Sequence, residues 1–155
     1  GAKPTPCPDF TGQGLVEHLV GALARLAGMA GDPVEAPTDG SVEERVSSVA
    51  THAIDAWRRV DPDGSVPGPG GTELPASFLA GVLPLELVLH GWDLAQGSGQ
   101  QLRLSDEVVG YVRGLAEVVV PSARGRSFGD EVTPAADASP LDRLAAFAGR
   151  SPLAA

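Results

Sequence analysis

Residues 84–95 (PLELVLHGWDLA) constrain the fold most strongly, because this segment is apolar on nearly every side. A helix that is apolar almost all round is a buried helix. The segment nevertheless contains Glu86 and His90, whose spacing of four residues stacks the two side chains on one helix face. An ionised carboxylate is costly to bury unless a partner or a metal ion compensates its charge. The pair therefore predicts either a buried hydrogen bond or part of a metal site.

Helical periodicity in the rest of the chain predicts an all-α fold, a four-helix bundle of up-down type with a short extra C-terminal helix. Ser41 and Glu44 have the spacing of a capping box, and Asp9 and Thr11 are both suitable N-caps for the first helix. No alternating strand pattern with hairpin turns is visible, so residues 61–71 are expected to form a loop. The predicted helices span 14–29, 41–60, 75–96, 105–118 and 140–147.

The bulk properties predict a single cytoplasmic domain covering residues 1–155. A net charge of −9 without a basic cluster argues against nucleic acid and anionic membranes as partners. No apolar run approaches the roughly 20 residues of a membrane span, and the first residues lack the pattern of a signal peptide. Cys7 is the single cysteine, which excludes an internal disulfide. Lys3 is the single lysine, a bias that indicates a host with a GC-rich genome.

His18 is the third candidate ligand, because it lies on the apolar stripe of the first predicted helix and should point inward. A lone histidine on such a stripe is more often a core residue with one satisfied hydrogen bond. Together with Glu86 and His90, however, it completes two histidines and one carboxylate. This is the ligand set of open catalytic zinc sites and of facial-triad iron sites. Three protein ligands leave a coordination position for water or substrate.

The other polar residues near this segment have alternative roles. Asp93 could orient a ligand histidine or bond to another helix, and its position in the sequence does not choose between them. His52 is expected at a solvated rim, and Cys7 is expected to be a packed thiol. Four arginines could bind an anionic substrate, but solvation at the surface is the expectation for Arg58, Arg59, Arg124 and Arg126.

Four blocks of sequence resemble a known family: TPCPDF (5–10), VEHLVG (16–21), ELVLHGWDLAQGSGQ (86–100), and FGDEV with ASPLDRLAAFAGRSP (128–152). They are similar to actinobacterial metal-binding proteins of the DinB-like superfamily, which includes the N-terminal domain of mycothiol-dependent maleylpyruvate isomerase. The resemblance implies a four-helix bundle with a divalent metal ion, usually zinc, although nickel or iron would also suit the site. It implies His18, Glu86 and His90 as the ligands.

The resemblance implies a thiol-dependent S-transferase or isomerase acting on a small electrophilic metabolite, with mycothiol as the thiol in an actinobacterial host. Two alternatives stay open: a non-catalytic module that binds a small molecule or a metal, and a metal-independent catalyst of secondary metabolism on the same bundle. Members of the family usually begin with a further helix before the TPCPD block, and this chain has four residues there. A bundle without that helix would expose an apolar groove, which favours a homodimer.

Overall fold

The computed structural model describes residues 5–7 and 11–153, and the chain is mainly helical over these residues. Short strands β1 (Ser65–Pro67) and β2 (Glu73–Pro75) pair antiparallel between the second and third helices. The α-helices of the described part are α1 (Gly12–Met29), α2 (Val42–Trp57), α3 (Ala76–Ser98), α4 (Asp106–Ala123) and α5 (Pro140–Phe147). The mainly helical prediction is confirmed, whereas the four-helix bundle stays a prediction.

The hairpin β1–β2 overturns the expectation of an irregular loop over 61–71. Val66 lies opposite Leu74 in the ladder and is buried, while its neighbours in β1 are exposed. Gly70 and Gly71 have φ values of 68° and 76°, a backbone conformation that glycine adopts at no steric cost. With three residues in each strand, the alternation is too short to stand out from the surrounding prolines and glycines.

Local signals at the helix ends are largely confirmed. The capping box is present, since the Ser41 hydroxyl accepts from the Glu44 amide and the Glu44 carboxylate accepts from the Ser41 amide at 2.8 Å. Thr11 caps α1 by accepting from the amide of Gly14, and the alternative cap Asp9 lies outside the described residues. Helix α5 has the predicted bounds. Helix caps can be recognised in a sequence because the capping residue and its partner are only three positions apart.

Helix α4 carries exposed apolar residues as well as a buried apolar face. Tyr111 and Val118 are 63% and 64% exposed, and Val108 is also exposed. The buried residues of α4 are Val109, Val112, Ala116, Val119 and Val120. Apolar residues occur on more than one face of this helix, so the periodicity permits two stripes and packing selects one. Val42, the first residue of α2, is likewise half exposed.

The chain divides into two compact units, and the division falls inside α3 between Glu86 and Leu87. The first unit (Val16–Glu86) contains α2, the hairpin, most of α1 and the first half of α3. The second unit (Gly1–Leu15 with Leu87–Ala155) contains the second half of α3 together with α4 and α5. Each unit has its own buried apolar residues, such as Leu19 and Val49 in the first unit and Leu89 and Leu144 in the second.

By length and composition α3 could cross a membrane, contrary to the expectation that no segment would be apolar enough. Half of its apolar stretch is buried inside the structure, which fits the core helix of a soluble protein. The helix also carries the carboxylate of Asp93, which is fully buried and ion-paired.

Candidate metal centre

His18 of α1 and Glu86 of α3 approach each other inside the first unit. The His18 Nε2 atom lies 4.0 Å from the Glu86 Oε2 atom. Leu15 and Leu19 flank His18 on the buried side of α1, which turns the imidazole in the same general direction. The side chains of His18 and Glu86 are 31% and 21% exposed, so this part of the candidate site is open to solvent.

His90 follows Glu86 by one turn of the same uninterrupted helix, α3. Its side chain is almost fully buried, in contrast to the other two candidates. One ligand-type atom from each of His18, Glu86 and His90 lies within 4.8 Å of the others. The structure thus brings together the three residues that the sequence singled out.

These distances can be compared with those of a zinc site. Two ligand atoms in tetrahedral coordination, each about 2.1 Å from zinc, lie about 3.4 Å apart. His18 and Glu86 would therefore have to close by less than about 1 Å to bind one ion. Both side chains are partly exposed to solvent. Two imidazole nitrogens and one carboxylate oxygen are also donors that zinc, iron and nickel accept, so the residues present fit a divalent ion.

Asp93 contacts the Nδ1 side of the His90 imidazole. Its Oδ2 atom lies 3.1 Å from the Nδ1 atom of His90, and its side chain is inaccessible to solvent. The same Oδ2 atom accepts from the Nε and Nη2 atoms of Arg150 at 3.3 and 3.2 Å. Both roles that the sequence left open for Asp93 are therefore found together: it contacts the histidine and it bonds to the segment after another helix.

Arg150 reaches Asp93 because of the way α5 ends. The amide of Gly149 donates to Ala146 and the amide of Arg150 donates to Ala145, which is the hydrogen-bond pattern of a Schellman motif. Gly149 has a φ of 84°, so the chain reverses there and the Arg150 side chain enters the interior of the second unit, where the residue is 7% exposed. The contact of Arg150 with Asp93 was not predicted from the sequence. A glycine directly after the last helical residues was the available signal.

The remaining candidates have other partners. His52 is half-buried, and its Nε2 atom lies 3.1 Å from the carbonyl oxygen of Asp32, so the expected solvated position is only partly correct. Cys7 is also half-buried. The expected surface position is confirmed for Arg58, Arg59 and Arg126, which are exposed, and the structure also pairs each of the four arginines with protein groups. Arg58 contacts Asp55, Arg59 contacts Asp32, Arg124 donates to Gly129 and Phe147, and Arg126 donates to Ser122.

Glu17 is adjacent to His18 in sequence but is held by α2. The Nη2 atom of Arg45 lies 2.8 Å from the Glu17 Oε2 atom, and this hydrogen bond lowers the pKa of the Glu17 carboxyl. Arg45 is itself buried and also donates to the carbonyl of Pro37. Glu17 is therefore engaged in an ion pair within the first unit, and Glu86 is the carboxylate that accompanies His18.

A separate cleft of about 500 Å³ lies in the second unit. Trp92 and Asp142 form part of its wall, and the indole nitrogen of Trp92 donates to the Asp142 Oδ1 atom at 2.9 Å. None of the three candidate metal ligands lines this cleft.

Comparison with known proteins identifies relatives but no activity. No family model matches the chain, and no solved structure matches it. Two proteins of Mycobacterium tuberculosis, Uncharacterized protein Rv0738 of strain H37Rv and Uncharacterized protein MT0763 of strain CDC 1551, are each 32% identical to it over 163 residues. The match covers 96% of this chain and 84% of each relative. The chain therefore belongs to the same family as these two mycobacterial proteins.

Proposed function

We propose that this protein is a metal-dependent enzyme that transfers a low-molecular-weight thiol to a small electrophile, or uses that thiol to isomerise it. The observation that carries the proposal is the convergence of His18, Glu86 and His90 within 4.8 Å. Two histidines and one carboxylate make a set of three protein ligands, which leaves a coordination position for an exogenous molecule.

A divalent ion in this position would stabilise a thiolate over its thiol, so that a sulfur nucleophile exists at neutral pH. In S-transfer the thiol would lose its proton to water, its sulfur would form a bond to the electrophilic carbon, and the leaving group would depart with the electrons of the broken bond. In isomerisation the sulfur adds to a double bond and is later expelled, after rotation about the resulting single bond.

The exposure of the three residues suggests where a thiol would enter. His90 is buried and held by Asp93, so it would anchor the ion from the interior of the protein. His18 and Glu86 are partly open to solvent, so their side is the one through which a substrate could approach. The partial burial of Glu86 would also exclude bulk water from one side of the reacting sulfur.

The choice of thiol follows from the host. The relatives belong to a mycobacterium, and mycothiol is the thiol expected in actinobacteria. We further propose a cytoplasmic location and a fold of the DinB-like type. Self-association as a homodimer is part of the same proposal.

Metal analysis of the purified protein tests the proposal first. We expect about one divalent ion per chain. His90→Ala should lose the ion, whereas His52→Ala, which alters a histidine bonded to Asp32, should retain it. Full occupancy in His90→Ala would contradict the ligand assignment.

Activity is tested separately, by following conjugation of a chromogenic aryl halide and isomerisation of an activated cis-alkene with mycothiol and with other thiols. Turnover that requires both the ion and His18 supports the enzyme. A metal-bound protein that is inactive with every thiol would be the non-catalytic module, and turnover unaffected by His18→Ala would indicate metal-independent chemistry.

A further inference from the structure

We infer that Arg150 is a positioning residue for the candidate metal centre, which acts through Asp93 to fix the orientation and tautomer of His90. The inference rests on the proposed function for its consequence, metal affinity, but the arrangement of the three side chains exists without a metal ion. All three residues belong to the second unit.

Asp93 is a buried carboxylate whose ion-pair partner is Arg150. This carboxylate is fully inaccessible, and an ionised buried carboxylate requires a compensating partner. Arg150 supplies that partner with two donors to one oxygen, Oδ2. The guanidinium thus compensates the carboxylate, and its two N–H groups make Oδ2 a hydrogen-bond acceptor.

The contact with Asp93 determines which ring nitrogen of His90 carries a proton. An ionised carboxylate can only accept hydrogen bonds, so the Nδ1 atom of His90, 3.1 Å from Asp93, must be the donor. With a proton on Nδ1, the other ring nitrogen, Nε2, becomes the atom with ligand character. In known metal sites, a carboxylate that is hydrogen-bonded to a ligand histidine fixes the tautomer and ring orientation of that histidine.

Neighbouring groups hold the Arg150 side chain in place. Its Nη1 atom donates to the carbonyl of Ala148 at 3.1 Å, and its guanidinium lies 5.8 Å from the centroid of the Phe128 ring. The preceding Gly149 packs on the backbone of Gly129, where an added Cβ atom would lie 2.8 Å from the carbonyl carbon. Arg150 is thus fixed by a carbonyl group, an aromatic ring and a closely packed turn, although it is 57 residues from Asp93 in the sequence.

A purely structural ion pair would stabilise the second unit without altering the chemistry of His90. The two roles can be separated by comparing Arg150→Met with Val112→Ala, which removes buried apolar volume from α4 in the same unit. The probe is zinc alone, and the two readouts are the ¹⁵N chemical shifts of the His90 ring in metal-free protein and the zinc affinity by chelator competition.

We expect wild-type His90 to show the Nδ1–H tautomer and Arg150→Met to show a mixture of tautomers. Zinc affinity should fall about 10- to 100-fold in Arg150→Met and by less than about 3-fold in Val112→Ala. Arg150→Lys, which keeps the charge but not the planar fork of donors, should lie between wild type and Arg150→Met.

If Arg150→Met does not fold, Arg150→Gln replaces it, because a buried amide can still donate to Asp93 but supplies neither the charge nor the paired donors of the guanidinium. A wild-type tautomer together with a zinc affinity equal to that of Val112→Ala would overturn the inference. If wild-type protein binds no zinc, the proposed function fails, while the tautomer measurement still decides the role of Arg150.

Discussion

Asp93 and Arg150 form an ion pair in which one oxygen of the carboxylate, Oδ2, accepts two hydrogen bonds from the guanidinium and also contacts His90. The other oxygen, Oδ1, is buried without a hydrogen-bond partner among the described residues. The charge of Asp93 is therefore compensated through one atom. Any change at this atom should affect the histidine as well as the ion pair.

Asp93→Asn is predicted to lower zinc affinity by about 10- to 100-fold, because an amide can donate to His90 as well as accept from it and no longer selects one tautomer. Chelator competition followed optically measures the affinity. Asp55→Asn on the exposed face of α2 is the control, and it should leave the affinity unchanged. Equal affinities for the two variants would remove Asp93 from the site.

Saturating zinc is predicted to raise the free energy of unfolding, because the ion binds the folded chain in preference to the unfolded one. At a zinc concentration of about 100 times Kd, the gain should be about 2.7 kcal/mol. Urea denaturation with zinc and with chelator measures it. In His18→Ala the difference between the two curves should be strongly reduced, and a difference as large as in wild type would show that the stabilising site lies elsewhere.

Gly149→Ala is predicted to destabilise the protein more than Gly31→Ala, although both glycines have a φ of 84°. Positive φ alone costs an alanine about 1–2 kcal/mol. At Gly31 an added Cβ meets no atom within 4 Å, whereas at Gly149 it meets the backbone of Gly129 at 2.8 Å. Urea unfolding of both variants separates the two effects. Gly129→Ala is a further control, since its Cβ would lie at an ordinary 3.6 Å from Gly149.

The capping box of α2 is predicted to make stability depend on pH. Hydrogen bonds from the backbone and hydroxyl of Ser41 lower the pKa of Glu44 below its ordinary 4.5. A carboxyl with a lowered pKa in the folded state stabilises that state above its unfolded pKa. This contribution should disappear as the pH falls from about 4.5 through the lower folded value.

Glu44→Gln is expected to flatten this part of the stability profile. Glu43→Gln, which changes the adjacent acid in the same first turn, should affect it less. Thermal unfolding between neutral pH and pH 3 makes the comparison. In a separate variant, Ser41→Ala should cost about 1 kcal/mol through loss of the cap.

Features that depend on a few neighbouring residues could be predicted from the sequence. The cap at Ser41 and the bounds of α5 are examples, because a cap requires only the hydroxyl and an amide three residues on. The Glu86–His90 pair is another, since a spacing of four on a helix fixes their relation without reference to the rest of the fold. The exposed face of α4 was not predictable in this way, because two apolar stripes compete and only packing distinguishes them.

The sequence by itself determined the helical elements and the ligand-type residues that each of them carries, because these depend on short-range periodicity and hydrogen bonding. Tertiary structure alone decided that His18 meets Glu86 and that Arg150 turns back onto Asp93. These contacts join residues far apart in the chain, and their geometry depends on how the elements of each unit pack. The turn at Gly149 connects local and tertiary structure. Its positive φ is a local property, but the fold decides that the next residue, Arg150, meets the carboxylate of Asp93.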